Sequence, residues 1–314
     1  MYILIESHIP FIRGLAESAG HKVDYLNPEE FTPERVKDAD ALIVRTRTRC
    51  DAALLEGSKV RTIATATIGT DHIDLDYCRQ NGIQVHNAPG CNAPAVAQYV
   101  LSVIGRFKPD CRCLGIVGVG HVGSIVKKWA DANGIKTLMC DPPRALAEGS
   151  ENYVSLEVIA KNCDVITFHV PLDNSTRHII NKDFLELTSD DSLIINAARG
   201  AVADTAALLA TDRSLAIDCW EGEPAINLRL LEKALVATPH IAGYSLEGKQ
   251  RATAMALRAI DPLIELPLPA FAESPTLASI IGSYDPVRDS LRLKQSPETF
   301  EKQRNTYDYR SEPR

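Results

Sequence analysis

The chain has 314 residues, 45% of them hydrophobic and 24% charged, with a formal net charge of −7. That length supports two domains with separate cores, and the acidic balance gives no general basic field for nucleic acid or an anionic membrane. No apolar run approaches the length of a membrane span, and the polar N-terminus MYILIESHIPF reads as a first strand instead of a signal peptide.

Residues 1–90 alternate strand and helix. Strands are predicted over 2–6, 22–25, 41–44, 62–66 and 84–87, each a short run rich in apolar residues. A first helix is expected from about Pro10 to Gly20, and Asp74 caps another over 75–80, ahead of Asn81-Gly82. Such alternation predicts a parallel sheet with helices on both faces, a flavodoxin-like α/β domain. Residues 95–107 then read as a helix leading into a second doubly wound parallel-sheet domain.

That second domain opens on a buried strand over 114–119 followed by glycines at 118, 120 and 123 in the pattern G-x-G-x-x-G. Gly118 permits the tight turn, Gly120 lets a pyrophosphate approach the backbone, and Gly123 lets the next helix sit close to the sheet. His121 and Val122 begin that helix, where backbone N–H groups matter for an anion. Val122, Ile125, Val126, Trp129 and Ala130 repeat at helical spacing, with Gly134 as its C-terminal cap. Asp141 ends the strand 136–140, 18 residues beyond Gly123. A carboxylate there accepts hydrogen bonds from the adenosine ribose and repels a 2'-phosphate, so the cofactor expected is NAD and not NADP.

Strands over 165–170, 192–196, 215–218 and 235–237 complete this Rossmann domain. Ser245 is expected to cap a helix over 246–260, which Asp261-Pro262 ends. The remainder begins with the proline-rich LPLPAFAESP and finishes in polar sequence, the composition of a weakly ordered end. Yet Leu277, Ile280, Ile281, Tyr284, Phe300, Tyr307 and Tyr309 supply apolar surface with which it can pack. Eight scattered cysteines, several in or beside predicted buried strands, fit a reduced, cytoplasmic chain. Cys111-x-Cys113 lacks a second pair at zinc spacing, so no metal site is expected.

Three candidate sites follow predicted strands, where open α/β sheets bind their ligands. They are I-N-A-A-R-G with Arg199, D-C-W-E-G-E-P with Glu223, and T-P-H-I-A-G-Y with His240. Oxidising a 2-hydroxy acid with NAD needs a cation for the carboxylate and C2 oxygen, which Arg199 can supply. It also needs a base near neutral pKa for the hydroxyl proton, suited to His240. A carboxylate must fix that base's tautomer and stabilise its charged form, which Glu223 can do.

The fingerprint, I-N-x-x-R-G, E-P and P-H-x-x occur here in the order found in the D-isomer-specific 2-hydroxyacid dehydrogenases, which the chain resembles from residue 1 to about 262. The resemblance implies catalytic roles for Arg199, Glu223 and His240. Longer motifs at 64–72, 88–93, 140–144, 220–224 and 240–249, with YDPVRD and FEKQR in the tail, are similar to one branch of that family. That branch oxidises a four-carbon 2-hydroxy acid phosphorylated at C4 and carries an extra C-terminal dimerisation domain.

This likeness implies substrate contacts at Thr46, Thr67 and Tyr244. It also implies NAD contacts at Asp141, the Val170 backbone, Asp218 and Gly243, and a homodimer. Three regions follow: a substrate domain over 1–91 completed by 242–262, an NAD domain over 92–241, and a dimerisation region over 263–314. Segments 108–113 and 210–215 and the tail are shorter than the likeness leads one to expect, which puts the completeness of the last region in question. The substrate phosphate calls for a further cation, and Arg45 or Arg47 is the candidate, since alternate residues of an extended chain share a side. Two rival readings stand beside this one: a dehydrogenase for another acid such as 3-phosphoglycerate, and a non-catalytic protein that senses NAD.

Overall fold

A computed structural model describes residues 1–264 and 266–314, which divide into two compact units. The first comprises residues 1–92 and 246–270, the second residues 93–245 and 271–314.

The first unit is built on a five-stranded parallel sheet of β1 (Tyr2–Glu6), β2 (Lys22–Leu26), β3 (Ala41–Val44), β4 (Thr62–Thr65) and β5 (Gln84–His86), in the order β2-β1-β3-β4-β5. Strands β1 and β3 are almost entirely buried, as continuous apolar runs in a sheet covered on both faces must be. The late helix Leu246–Ile260 returns to this unit, its Ala252, Ala256 and Leu257 joining Ile3, Ile5 and Ile43 in one core. One expectation fails here. The helix expected from Pro10 to Gly20 is reduced to Leu15–Ser18, because Phe11 and Gly14 take positive φ of 62° and 80° and turn the chain before a helix can begin.

In the second unit six parallel strands lie in the order β11-β10-β9-β8-β6-β7. They are β6 (Cys113–Val117), β7 (Lys136–Cys140), β8 (Val165–Phe168), β9 (Leu193–Asn196), β10 (Ser214–Ile217) and β11 (Val236–Ala237). The strand order reverses between β6 and β8, the place where a doubly wound sheet opens a crevice at its carboxyl edge. Helix His121–Ala132 buries Val126, Trp129 and Ala130 on the sheet and is closed by Gly134 at φ 77°.

From Phe271 onward the tail is folded and belongs to this unit. Helices Leu277–Ser283, Pro286–Gln295 and Phe300–Asn305 bury Ile280, Leu293 and Phe300 to 1% exposure or less. Each such side chain contributes about 1.5–3 kcal/mol by leaving water. Gly105 makes the fit possible, since a Cβ there would lie 2.3 Å from Ile281 Cδ1. Polar ties fix the register: Trp129 Nε1 donates to Ala272 O, and Asn133 bonds both Pro275 O and Leu277 N. The residues read from sequence as available for packing are therefore spent largely within the chain.

Candidate active site

The carboxyl edge at the strand-order reversal is shaped for a dinucleotide. Gly118 leaves β6 at φ 87°, and a Cβ on it would lie 2.8 Å from the His169 carbonyl group beyond β8. A Cβ on Gly123 would fall 2.1 Å from Gly118 O, so the helix can approach the turn only because that residue is glycine. At Gly120 the space is open, and the helix starting at His121 has no side-chain cap. Its first N–H groups and the positive end of its dipole are thus left for a pyrophosphate. His169 lines this edge as a neutral ring, because burial pushes its pKa down to about 3, and its Nε2 meets Thr167 Oγ1 at 3.0 Å.

Asp141 already organises the cradle. One carboxylate oxygen accepts from Val119 N at 2.7 Å and the other from Arg144 N at 3.1 Å, capping the helix Pro142–Glu148. Each oxygen keeps a lone pair for a ribose hydroxyl. Arg144, which sequence reading did not single out, donates to Val119 O and pairs with Glu148. The residues present fit NAD.

Three loops carry the catalytic candidates. Beyond β9, the Asn196 side chain ties the turn together by donating to Arg199 O at 3.0 Å and accepting from Ala198 N at 3.2 Å. The Arg199 guanidinium then folds back on Ala198 O at 2.9 Å. Gly200 follows because nothing larger fits: a Cβ would stand 2.0 Å from Trp220 O and 2.4 Å from Glu221 N. Beyond β10, Trp220 is anchored by its indole N–H to Thr238 O, and its backbone N–H donates to Glu223 Oε2 at 3.1 Å. Beyond β11, His240 meets the other Glu223 oxygen through Nδ1, 2.5 Å away.

The pair is roughly three-quarters enclosed, with side-chain exposures of 28% for His240 and 24% for Glu223. Burial pushes the Glu223 carboxyl up, but the hydrogen bond and charge of His240, with the Trp220 N–H and the Arg304 charge, together leave it below its ordinary value. With Nδ1 engaged by a carboxylate, the imidazole takes the tautomer whose Nε2 lone pair is the proton acceptor.

Asp218, expected at the cofactor, is 1% exposed. Oδ1 accepts from Thr238 Oγ1 and Ile241 N, and Oδ2 from Ala242 N, so the carboxylate holds the loop that carries His240. Tyr244 and Gly243 continue that loop, with the Tyr244 ring edge-on to Tyr307 and Tyr309. Val170 lies against Gly118, where its Cγ1 would be 2.9 Å from an added Cβ. Arg304 was given no site role from sequence: mostly enclosed and paired with Glu301, it also feels the charge of Glu223. It ends the FEKQR motif of the tail, which by itself does not indicate a contact with a distant strand end.

The first unit holds the remaining candidates. Arg45 is tied to the fully buried Glu6, through Nε at 2.8 Å and its backbone N–H at 2.9 Å. Thr48 N then bonds Arg45 O, so the chain turns where an extended run was expected, and Arg45, Arg47 and Arg49 do not share a side in the manner predicted. Thr46 and Arg47 are exposed on that turn, and Thr67 Oγ1 bridges Thr65 Oγ1 and Gly69 O after β4.

Residues 106–242 match the family described as D-isomer specific 2-hydroxyacid dehydrogenase, NAD binding domain. An erythronate-4-phosphate dehydrogenase of Bacteroides thetaiotaomicron is 45% identical over 338 aligned positions, covering 99% of this chain and 97% of that protein. One from Porphyromonas gingivalis is 42% identical, covering 98% and 92%. Among solved structures, the NAD+-bound 3-phosphoglycerate dehydrogenase of Entamoeba histolytica aligns with a TM-score of 0.70 at 28% identity, covering 87% of this chain and 99% of that one. The D-lactate dehydrogenase of Aquifex aeolicus, complexed with NAD and lactic acid, aligns at 0.69 and 27%, covering 83% and 95%.

Proposed function

Because this chain belongs to the D-isomer-specific 2-hydroxyacid dehydrogenase family, we propose that it oxidises 4-phospho-D-erythronate to 2-oxo-3-hydroxy-4-phosphobutanoate with NAD, serving pyridoxal 5'-phosphate synthesis. The observation that carries this reading is the 2.5 Å contact of His240 Nδ1 with Glu223, beside the loop-held Arg199. It is supported by relatives of that name at 42–45% identity over nearly the whole chain.

In the reaction His240 takes the C2 hydroxyl proton at Nε2, and Glu223 stabilises the imidazolium that results. Arg199 holds the C1 carboxylate and the C2 oxygen, drawing charge toward the forming carbonyl. NAD, when bound, supplies the hydride acceptor. Gly118, Gly120, Gly123 and the N–H groups of His121 and Val122 hold its pyrophosphate. Asp141 meets the ribose, Val170 and Gly243 contribute backbone contacts, and Asp218 serves it through the loop it binds. Thr46, Thr67 and Tyr244 contact the substrate, and Arg45 or Arg47 reads its phosphate.

The tail is assigned to a homodimer, to be tested by light scattering in solution. All eight cysteines are free thiols, in keeping with a reducing cytoplasm. NADH appearance with 4-phospho-D-erythronate, compared with 3-phosphoglycerate and unphosphorylated erythronate, tests the activity. His240→Gln should abolish turnover while NADH still binds. No NADH from any of these acids would overturn the reading, as would a fully active H240Q enzyme.

A further inference from the structure

His240 has φ 56°, a left-handed backbone that is strained for a non-glycine residue and survives only where its surroundings impose it. One side of the imposing structure is Asp218, whose main-chain carbonyl accepts from His240 N at 2.8 Å and whose carboxylate takes the N–H groups of Ile241 and Ala242. The opposite sides of those peptides need donors. Tyr244 N gives one to Ile241 O at 2.9 Å, and the rest come from near residue 310: Arg310 Nη1 donates to Ile241 O at 3.1 Å and Nη2 to Ala242 O.

The same guanidinium donates to Ala95 O and to Gln98 Oε1, both on the helix Ala93–Phe107, and lies 4.1 Å from the centre of the Tyr284 ring. Gln98 returns a bond to Ser311 O, and Ser245 Oγ donates to Glu312 Oε1 at 2.7 Å. A planar fork with five donors suits this task, because one side chain can hold two successive carbonyls and a helix at once.

We propose that Arg310 is a positioning residue for His240, so that the terminal segment is a working part of the active site. It locks the 240–245 loop between a buried carboxylate and an enclosed guanidinium and holds the imidazole at its catalytic angle toward Glu223. This rests on the dehydrogenase reading above and deepens it.

The test uses the full chain with Arg310→Ala and Arg310→Lys. Misplacing a catalytic group by an ångström costs about 10²-fold. R310A should therefore lose kcat by about that factor while the KM for NAD stays within about twofold, and guanidinium ion added to the assay should restore part of it. In NMR of the NAD complex, the His240 imidazole signal, assigned by its absence in H240Q, should be single in the wild type and split or broadened in R310A.

Wild-type kcat together with an unchanged imidazole signal in R310A would overturn the proposal. If R310A does not fold, R310K decides. A tenfold or greater loss of kcat at retained melting temperature supports the lock, and full activity refutes it. A wild type that makes no NADH would fail the dehydrogenase reading, while the imidazole signal would still decide whether Arg310 positions His240.

Discussion

Gly200→Ala separates sterics from chemistry, since it adds one methyl and removes no functional group. The new Cβ would lie 2.0 Å from Trp220 O, 2.1 Å from Trp220 C and 2.4 Å from Glu221 N, where ordinary contact begins at 3.4 Å. Over an ångström must be opened, and all three obstacles are backbone, so no side chain can swing aside. The displaced peptide adjoins Trp220, whose N–H holds Glu223 Oε2, and the other Glu223 oxygen holds His240. Both Arg199, next to the methyl, and the His240–Glu223 pair should therefore shift.

Overpacking of this kind costs about 1–3 kcal/mol in stability. An ångström of misplacement costs about 10²-fold in rate, equivalent to about 2.7 kcal/mol of transition-state stabilisation. The prediction is a kcat/KM for the hydroxy acid reduced at least a hundredfold, with NADH affinity, measured by fluorescence, within threefold of wild type. A G200A enzyme with wild-type kcat would refute the claim that the two loops are locked through this contact.

Further outcomes follow for single substitutions. Glu223→Gln keeps an acceptor for Trp220 N but loses the charge that steadies the imidazolium, so kcat should fall by tenfold or more. Since the folded Glu223 carboxyl lies below its ordinary value, the stability it adds is full above the unfolded carboxyl range and fades as pH drops through the folded value. Melting temperatures of wild type and E223Q should thus differ at pH 7 and draw together as pH falls below the ordinary Glu value of about 4.3. Asp141→Ala removes a helix cap worth about 1 kcal/mol along with the ribose acceptor. Its melting temperature should fall and its preference for NAD over NADP should narrow, with an unchanged ratio of kcat/KM values counting against Asp141. Arg47→Ala should leave the fold intact and weaken selection of phosphorylated over unphosphorylated erythronate. Arg45→Ala should cost about 3–5 kcal/mol by stranding the buried Glu6. If R47A and R45K both keep wild-type selectivity, another cation reads the phosphate, and Arg304 becomes the next to test.

The strands were legible because a parallel sheet covered on both faces writes itself as short apolar runs, and β1, β3 and β7 begin and end where those runs do. Glycine spacing marked the cofactor turn for a related reason: close approach of backbone to backbone leaves no choice of residue, as at Gly123 and Gly200. The failures share a cause as well. Nothing in Pro10–Gly20 signals that Phe11 will take positive φ, and the extended run expected at Arg45 is broken by Glu6, 39 residues earlier. Interactions at long sequence separation leave no local period to read.

The same blindness conceals what holds His240. Its neighbours Ile241 and Ala242 look like ordinary apolar residues, yet their peptides are bonded on one side by Asp218 and on the other by Arg310, 68 residues downstream of Ala242. Four backbone groups on two adjacent residues are thus satisfied by one carboxylate and one guanidinium. Each charge would be costly alone in an enclosed site, and each is acceptable because it is fully hydrogen-bonded. Loss of Asp218 would strand two N–H groups, and loss of Arg310 would strand Ala242 O and leave Ile241 O to Tyr244 N alone; either change relaxes the left-handed backbone at His240. The rate should therefore respond to Arg310 more steeply than a tail residue with no substrate contact would ordinarily allow.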